Sequence, residues 1–426
     1  MNLIFLIMVV TAFCFAGWRQ VVGGFLQTGP TPMEALSTAM VESAGGAVEL
    51  AIGLVGVMAL FLGLMKVAEE GGLLKILSRL IRPLMVRLFP DVPPEHPAMG
   101  AMILNLAANA LGLGNAATPF GIRAMQELDR LNAHRGTATD AMVLFLAINT
   151  SSVTLLPTGV IALRAAAGSG EPAAILPTTL FATIGSTVTA IVAAKLYRRL
   201  APIRGGRTGA PPAAEPARDE PPEKTESGYP LWVSIAGLLC IAAVIPVAVW
   251  FGPALSPWIL PVLIVGFLLF GWIRKVRVYE LFVEGAKDGF QVALRIIPYL
   301  VAILVAVGML RASGALDLMV SVLGPVTGRV GLPAEALPMA LLRPLSGSGA
   351  YGVMAAIIQD PAVGPDSYTG MLVSTLQGST ETTFYVMAVY FGAVQVRRVR
   401  HALAAGLTAD VAGVAFAVLA CSYLFR

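Results

Sequence analysis

The chain has 426 residues, of which 57% are hydrophobic and 13% charged, with a mean hydropathy of +0.78 and a formal net charge of +4. A soluble domain carries roughly 25% charged residues, so this composition excludes a soluble globular protein and points to a polytopic, all-α membrane protein. The small positive balance sits mainly between apolar segments, which argues against nucleic acid as a partner and instead reports orientation across a bilayer.

Residues 1–46 read as an N-terminal span (1–17) and an external loop. The span is expected to be retained, because it lacks a basic n-region and Phe13 precedes Cys14. Residues 47–200 form a first unit with spans near 47–66, 138–164 and 173–194. Within it, the stretch 73–89 spaces Lys75, Arg79, Arg82 and Arg87 among Leu and Ile at helical intervals. This predicts an amphipathic helix lying on the cytoplasmic leaflet against anionic lipid. An apolar segment near 98–121 follows, broken by Gly112, Gly114 and Pro119.

Residues 201–230, rich in Pro, Ala and charge, read as a disordered cytoplasmic linker. Residues 231–288 supply two connecting spans, 231–251 and 257–273. The second unit, 289–426, has spans near 289–310, 370–394 and 402–424 and its own broken segment near 336–358. The expected total is nine full spans.

The two units repeat one order of parts, with matched positions roughly 230–245 residues apart. Charge then orients them. The loop 66–97 holds Lys66, Lys75, Arg79, Arg82 and Arg87, whereas its counterpart 311–335 is nearly balanced. After the span 138–164 in the first unit and 370–394 in the second the bias reverses: 164–172 is poor in charge and 395–401 is strongly basic. By the positive-inside rule, equivalent loops face opposite sides, the mark of inverted-topology repeats. Consistency requires each broken segment to enter and leave on one side as a re-entrant helical hairpin. The N-terminus and linker then lie in the cytoplasm and the C-terminus outside.

Two short polar stretches interrupt membrane-length apolar segments and match in register: NTSSVT, with Asn149, Thr150, Ser151, Ser152 and Thr154, and QGSTETT, with Gln377, Ser379, Thr380, Glu381, Thr382 and Thr383. Unsatisfied polar groups in hydrocarbon cost several kcal/mol each, so such clusters need partners or a water-filled cavity. In the first broken segment Asn105 and Asn109 share a helix face, with Asn115 and Thr118 near the tip. These residues read either as a solute site or as a helix-packing surface. In the second, Arg343 and Pro344 precede Ser346, Gly347, Ser348 and Gly349. That pattern suits an anion nest with a bidentate arginine, or else Arg343 snorkels or pairs with Glu381. Glu381 is the sole acid of its span, and a charge at mid-bilayer costs ~2.5–3.5 kcal/mol. It is read as a proton- or sodium-coupling group, or as half of a structural ion pair.

Cys14, Cys240 and Cys421 lie in apolar spans and His96, His134 and His401 are scattered. Disulfides, metal sites and thiol or histidine catalysis are therefore not expected. No nucleotide-hydrolysis signature is present. The chain reads as a non-enzyme without cofactors other than a possible coupling Na+ or H+.

With 105–128 and the NTSSVTLLPTGVIALR stretch, the first unit resembles spore maturation protein A; with RPLSGSGAYG and 374–394, the second resembles spore maturation protein B. The resemblance covers nearly the whole chain apart from the linker, here as one fused polypeptide. It implies the nucleoside recognition, or Gate, fold shared with concentrative nucleoside transporters, with a broken transmembrane helix in each repeat, in a bacterial inner (cytoplasmic) membrane. The expected function is secondary transport of a small polar or anionic solute bound at the repeat interface, with a homo-oligomer possible. The alternative is a non-transporting scaffold or regulator of envelope or spore-type maturation.

Overall fold

A computed structural model of the chain describes residues 2–23, 30–112, 117–200 and 228–425. Asn115 and most of the linker fall outside them. The described chain is almost entirely helical. The first half runs α1 (Asn2–Gly23), α2 (Pro32–Glu70), α3 (Leu73–Leu88), α4 (Pro97–Ala110), α5 (Thr118–Arg130), α6 (Asp140–Thr150), α7 (Thr158–Ala166) and α8 (Leu176–Tyr197). Then come α9 (Leu231–Ala242) and α10 (Val244–Ile273). The second half runs α11 (Val278–Ser313), α12 (Ala315–Thr327), α13 (Leu337–Leu342), α14 (Gly347–Ile358), α15 (Tyr368–Ser379), α16 (Thr383–Ala393) and α17 (Ala402–Leu424).

Local chemistry explains where these helices begin. Thr31 and Glu34 form a reciprocal capping box before Pro32. Thr139 caps α6, Ser346 caps α14 and Ser367 caps α15, each hydroxyl accepting a backbone N–H of the first turn. The capping box has a consequence for the expected external loop 18–46: residues 32–46 are instead the first four turns of α2. The glycines at 45 and 46 do not stop the helix, since in an apolar setting its backbone groups have no better partner.

Among the described residues five helices, α1, α2, α8, α11 and α17, are each long and apolar enough to cross a membrane. The protein is a multi-pass membrane protein. The expected spans 138–164 and 370–394 are each two half-helices, α6 with α7 and α15 with α16. The two connecting spans expected at 231–251 and 257–273 are also differently divided. The short α9 packs on α3, and α10 runs through the Gly252–Pro253 turn signal. The loop expected at 311–335 contains α12, which occupies in the second half the place of α3 in the first.

Packing pairs α2 with α11 and α8 with α17 across the two halves. Along α2 and α11, Lys66 lies beside Gly285, Met58 beside Gly289 and Ser43 beside Gly308, so these helices run antiparallel. Along α8 and α17, Phe181 meets Phe416 edge-on at 5.7 Å and Ser186 donates to the Ala409 carbonyl at 2.8 Å, again antiparallel. Helices α4 and α5 fold back on one another, as do α13 and α14. One buried apolar cluster joins α2, α7, α11, α14 and α15; a second joins α4, α5, α6, α8, α16 and α17.

Two staples tie the halves at the ends of this arrangement. Arg164, fully buried, donates to Asp366 at 2.8 Å and to the Pro365 carbonyl at 2.6 Å. Arg400 donates to Asp140 at 2.7 Å, beside backbone bonds from Arg397 and Arg398 to the Gly136 carbonyl. The sequence reading drew no tie from either arginine.

Candidate functional site

Both polar stretches are helix breaks, and their hydroxyls make them so. At the end of α6, Thr150 and Ser151 each donate to the Ala147 carbonyl at 2.9 Å, spending their protons on their own helix. The chain then leaves the helix and re-enters it after Pro157. At the end of α15, Ser379 donates to the Leu376 carbonyl, and Thr380 is fully extended before α16 begins. The breaks touch: Glu381 N–H donates to the Thr150 carbonyl at 2.8 Å, and Thr187 of α8 donates to the Ser151 carbonyl.

The hairpin turns dock on these breaks. At the end of α4, Gly112 has φ +73°, and a Cβ there would lie 2.1 Å from the Leu156 carbonyl oxygen. Only glycine permits that approach. Leu155 N–H also donates to the Ala110 carbonyl at 2.8 Å. At the other hairpin, Arg343 leaves the end of α13 and enters the second break. It donates to Thr382 Oγ1 at 3.1 Å and to the Thr380 carbonyl, and lies 3.7 Å from Glu381. Its Nε has no partner.

A cavity of about 530 Å³ opens where these parts meet. Of the sequence candidates, Asn109, Thr154, Arg343, Ser348, Gln377 and Glu381 line it. Gln377 Oε1 is buried without a partner. Glu381, read as a group within a span, sits instead in the break with its side chain 51% exposed. The wall is completed by residues that the sequence pattern did not single out: Lys66 and Glu69 of α2, Asp288 of α11 and Tyr351 of α14. Lys66 pairs with Glu70 at 3.1 Å and Glu284 at 3.6 Å. Lys66, Glu69 and Asp288 were assigned to a loop or a span end, because α2 and α11 extend past their apolar windows; Tyr351 lay in the second broken segment but was not read as a site residue.

The remaining candidates stand behind the wall. Asn149 accepts from Asn109 at 2.9 Å and donates to the Phe145 carbonyl. Asn105 donates to the Ala117 carbonyl at 2.8 Å and to the Tyr390 hydroxyl at 3.1 Å, tying α4 to α5 and α16. Ser346 caps α14; Thr380 and Thr382 hold Arg343. Thr383 donates to Asp410 Oδ2 at 2.8 Å. Thr150, Ser151, Ser152 and Ser379 are buried, and Thr118 begins α5 away from the cavity. These residues were expected to bind solute, yet most of their polar atoms are spent on holding backbone. Asp410 itself, buried in α17, was missed: one acid in an apolar helix carries no signal of what packs beside it.

Comparisons agree on the family. The Gate profile, described as nucleoside recognition, matches residues 51–167 and 293–397. Spore maturation protein B of Bacillus subtilis is 48% identical over 171 residues, 40% of this chain and 95% of that protein. Spore maturation protein A of the same organism is 47% identical over 169 residues, 39% of this chain and 86% of that protein. The two likenesses are consistent with a fusion of the two proteins. A structure of CNTnw in an inward-facing substrate-bound state aligns with a TM-score of 0.46 at 14% identity, covering 99% of this chain and 91% of that one.

Proposed function

The chain belongs to the Gate, or nucleoside recognition, family, and we propose that it is a secondary transporter of a small polar or anionic solute. The observation that carries this reading is the cavity itself. It lies at the junction of two helix breaks and two hairpins, and it is lined by amide, hydroxyl and charged groups within an otherwise apolar protein. Pockets of about 300–1,000 Å³ with a few convergent polar groups suit small ligands, and broken helices lining a cavity are a recurrent design of carriers. A nucleoside-like solute is one member of this class. The antiparallel runs of α2 against α11 and of α8 against α17 support an inverted-repeat reading, in which the two halves rock about the site. Coupling to Na+ or H+ belongs to the same proposal, as do a bacterial inner membrane with the N-terminus inside, α3 resting on the cytoplasmic leaflet, and assembly of copies.

A second reading, a non-transporting scaffold of envelope or spore-type maturation, is favoured by how many polar groups here are spent on helix–helix ties. A thermal-shift screen of the purified protein with nucleosides, amino acids and organic anions separates the two. The transporter reading expects a stabilising solute whose effect vanishes in Asn109→Ala and Gln377→Ala, followed by uptake into proteoliposomes. If Ala at Asn149, Ser151, Gln377 and Glu381 lowers thermal stability and no solute ever binds, the scaffold reading stands in its place.

A further inference from the structure

Asp410 is a buried acid with an incomplete set of partners. It is the ninth residue of the 23-residue α17, so it lies about 12 Å along the helix at ~1.5 Å per residue, well inside the apolar layer. It is 4% exposed. Oδ2 accepts from Thr383 Oγ1 at 2.8 Å, whereas Oδ1 is buried with no donor in reach. An ionised carboxylate accepts on both oxygens, and one left unpaired in an apolar setting takes up a proton rather than bear the cost of charge.

The surroundings favour a proton over a metal cation. Against this stretch of α17, α8 presents Ser186 and α6 presents Thr150, whose hydroxyl protons go to the Ala409 and Ala147 carbonyls. The turn between α15 and α16 presents Thr380 and Thr383 so closely that a Cβ at Gly413 would lie 2.6 Å from Thr380 Cγ2. Side chains therefore pack closely against this stretch of α17, which suits a proton better than a cation with its ligand shell. Other titratable groups on these elements lie at other levels, Lys195 of α8 and Tyr385 of α16 being exposed. Asp140 of α6 meets Arg400 and Arg198, and Tyr390 of α16 meets Asn105 and Asn149. The charged group that acts on Asp410 is Arg343. Arg343 already faces the half-exposed Glu381 at 3.7 Å, so an ionised Asp410 would have to share that cation.

We propose that Asp410 carries a proton in this state, and that its proton, not one on Glu381, is the coupling ion. The link to the cavity is one unwound turn. Thr383 holds Asp410, and its neighbour Thr382 accepts from Arg343, which lines the cavity beside Glu381. When the O–H bond of Asp410 breaks, the proton passes to solvent and the electron pair stays on the carboxylate. Arg343 is then drawn from Glu381 toward Asp410, and the cavity keeps Lys66 but loses Arg343. The protonated form therefore takes an anionic solute and the ionised form releases it, which is proton symport. The role in transport rests on the transporter reading above; the protonation does not.

Infrared difference spectroscopy of the reconstituted protein across a pH titration tests it. The expected result is a carboxylic-acid carbonyl band at neutral pH that is absent from Asp410→Asn and retained in Glu381→Gln. Thr383→Val, which keeps the acid but removes the donor to its charged form, shifts the midpoint of that band to higher pH. Sodium at fixed pH leaves the band unchanged. A band that persists in Asp410→Asn, or that is absent from the wild type at neutral pH, overturns the assignment. Loss of the band on adding sodium overturns it too, in favour of a sodium site. If Asp410→Asn fails to fold, the Thr383→Val shift and the sodium arm decide alone. Should the band belong to Asp410 while no solute is ever transported, the transporter reading falls and the protonation stands.

Discussion

The two helix breaks are alike in how they form and unlike in what surrounds them. At Thr150 and at Ser379 a hydroxyl turns back onto its own helix and the chain unwinds. Around the first break the partners are neutral: Asn109, Asn149, Tyr390 and the carbonyls at Gly112. Around the second stand Arg343, Glu381 and Asp410. Shape is thus duplicated while charged side chains stand at the second break and not at the first. Such a pair can hold a solute by form on one side and bias its binding by protonation on the other, without the cost of desolvating two charged clusters.

Substitutions can break this comparison. The largest effect is expected for Arg343→Ala, which strands Glu381 and the Thr380 carbonyl; removing a buried, charge-assisted hydrogen-bonding group costs about 3 kcal/mol, read as a fall in unfolding free energy in denaturant. Arg343→Lys should recover the charge but only part of the loss, since an ammonium cannot make the paired contacts; full recovery would show that charge alone matters there. On the neutral side, Gly112→Ala must shift the Leu156 carbonyl and adopt an unfavourable φ, with an expected cost of about 2 kcal/mol. Unchanged stability would mean the hairpin does not dock on the break. Asn149→Ala should cost about 1–2 kcal/mol by removing the partner of Asn109, with no dependence on salt; a salt-dependent loss would contradict a neutral first break.

The smallest effect concerns pH. His96 Nδ1 accepts the Ala98 N–H at the start of α4, and burial lowers the pKa of the ring. A histidine with a depressed folded pKa contributes its stability above the unfolded value of about 6.5 and loses it as pH falls through the folded value. Thermal stability should therefore drop slightly below pH 6.5. His96→Asn, which keeps a capping acceptor, should remove that part of the drop. If the variant titrates like the wild type, the acid sensitivity of the hairpin lies elsewhere.

Much of this site is written in local pattern. The polar stretches, the hairpins and the amphipathic 73–89 were legible because each is a departure from apolar composition at a readable spacing. Lys66, Glu69 and Asp288 were not, because a helix extends beyond its apolar window, and the last turns of α2 and the early turns of α11 reach the cavity. Asp410 and Arg164 were not, because burial is a property of neighbours. Asp410 needed α17 set against the second break, and Arg164 needed the 359–367 connection folded over it.

By itself the sequence determined a two-unit helical membrane protein with duplicated breaks and a charge difference between them. Hydropathy, hydroxyl runs, glycine and proline act within a few residues of themselves, so their consequences can be read locally. Only the tertiary structure decided which polar groups face the cavity and which are consumed in holding helices. It also decided which acid is shut away from water. Those outcomes depend on distances between segments from tens to more than 200 residues apart, such as Thr383 and Asp410 or Thr150 and Glu381, and no local pattern encodes them.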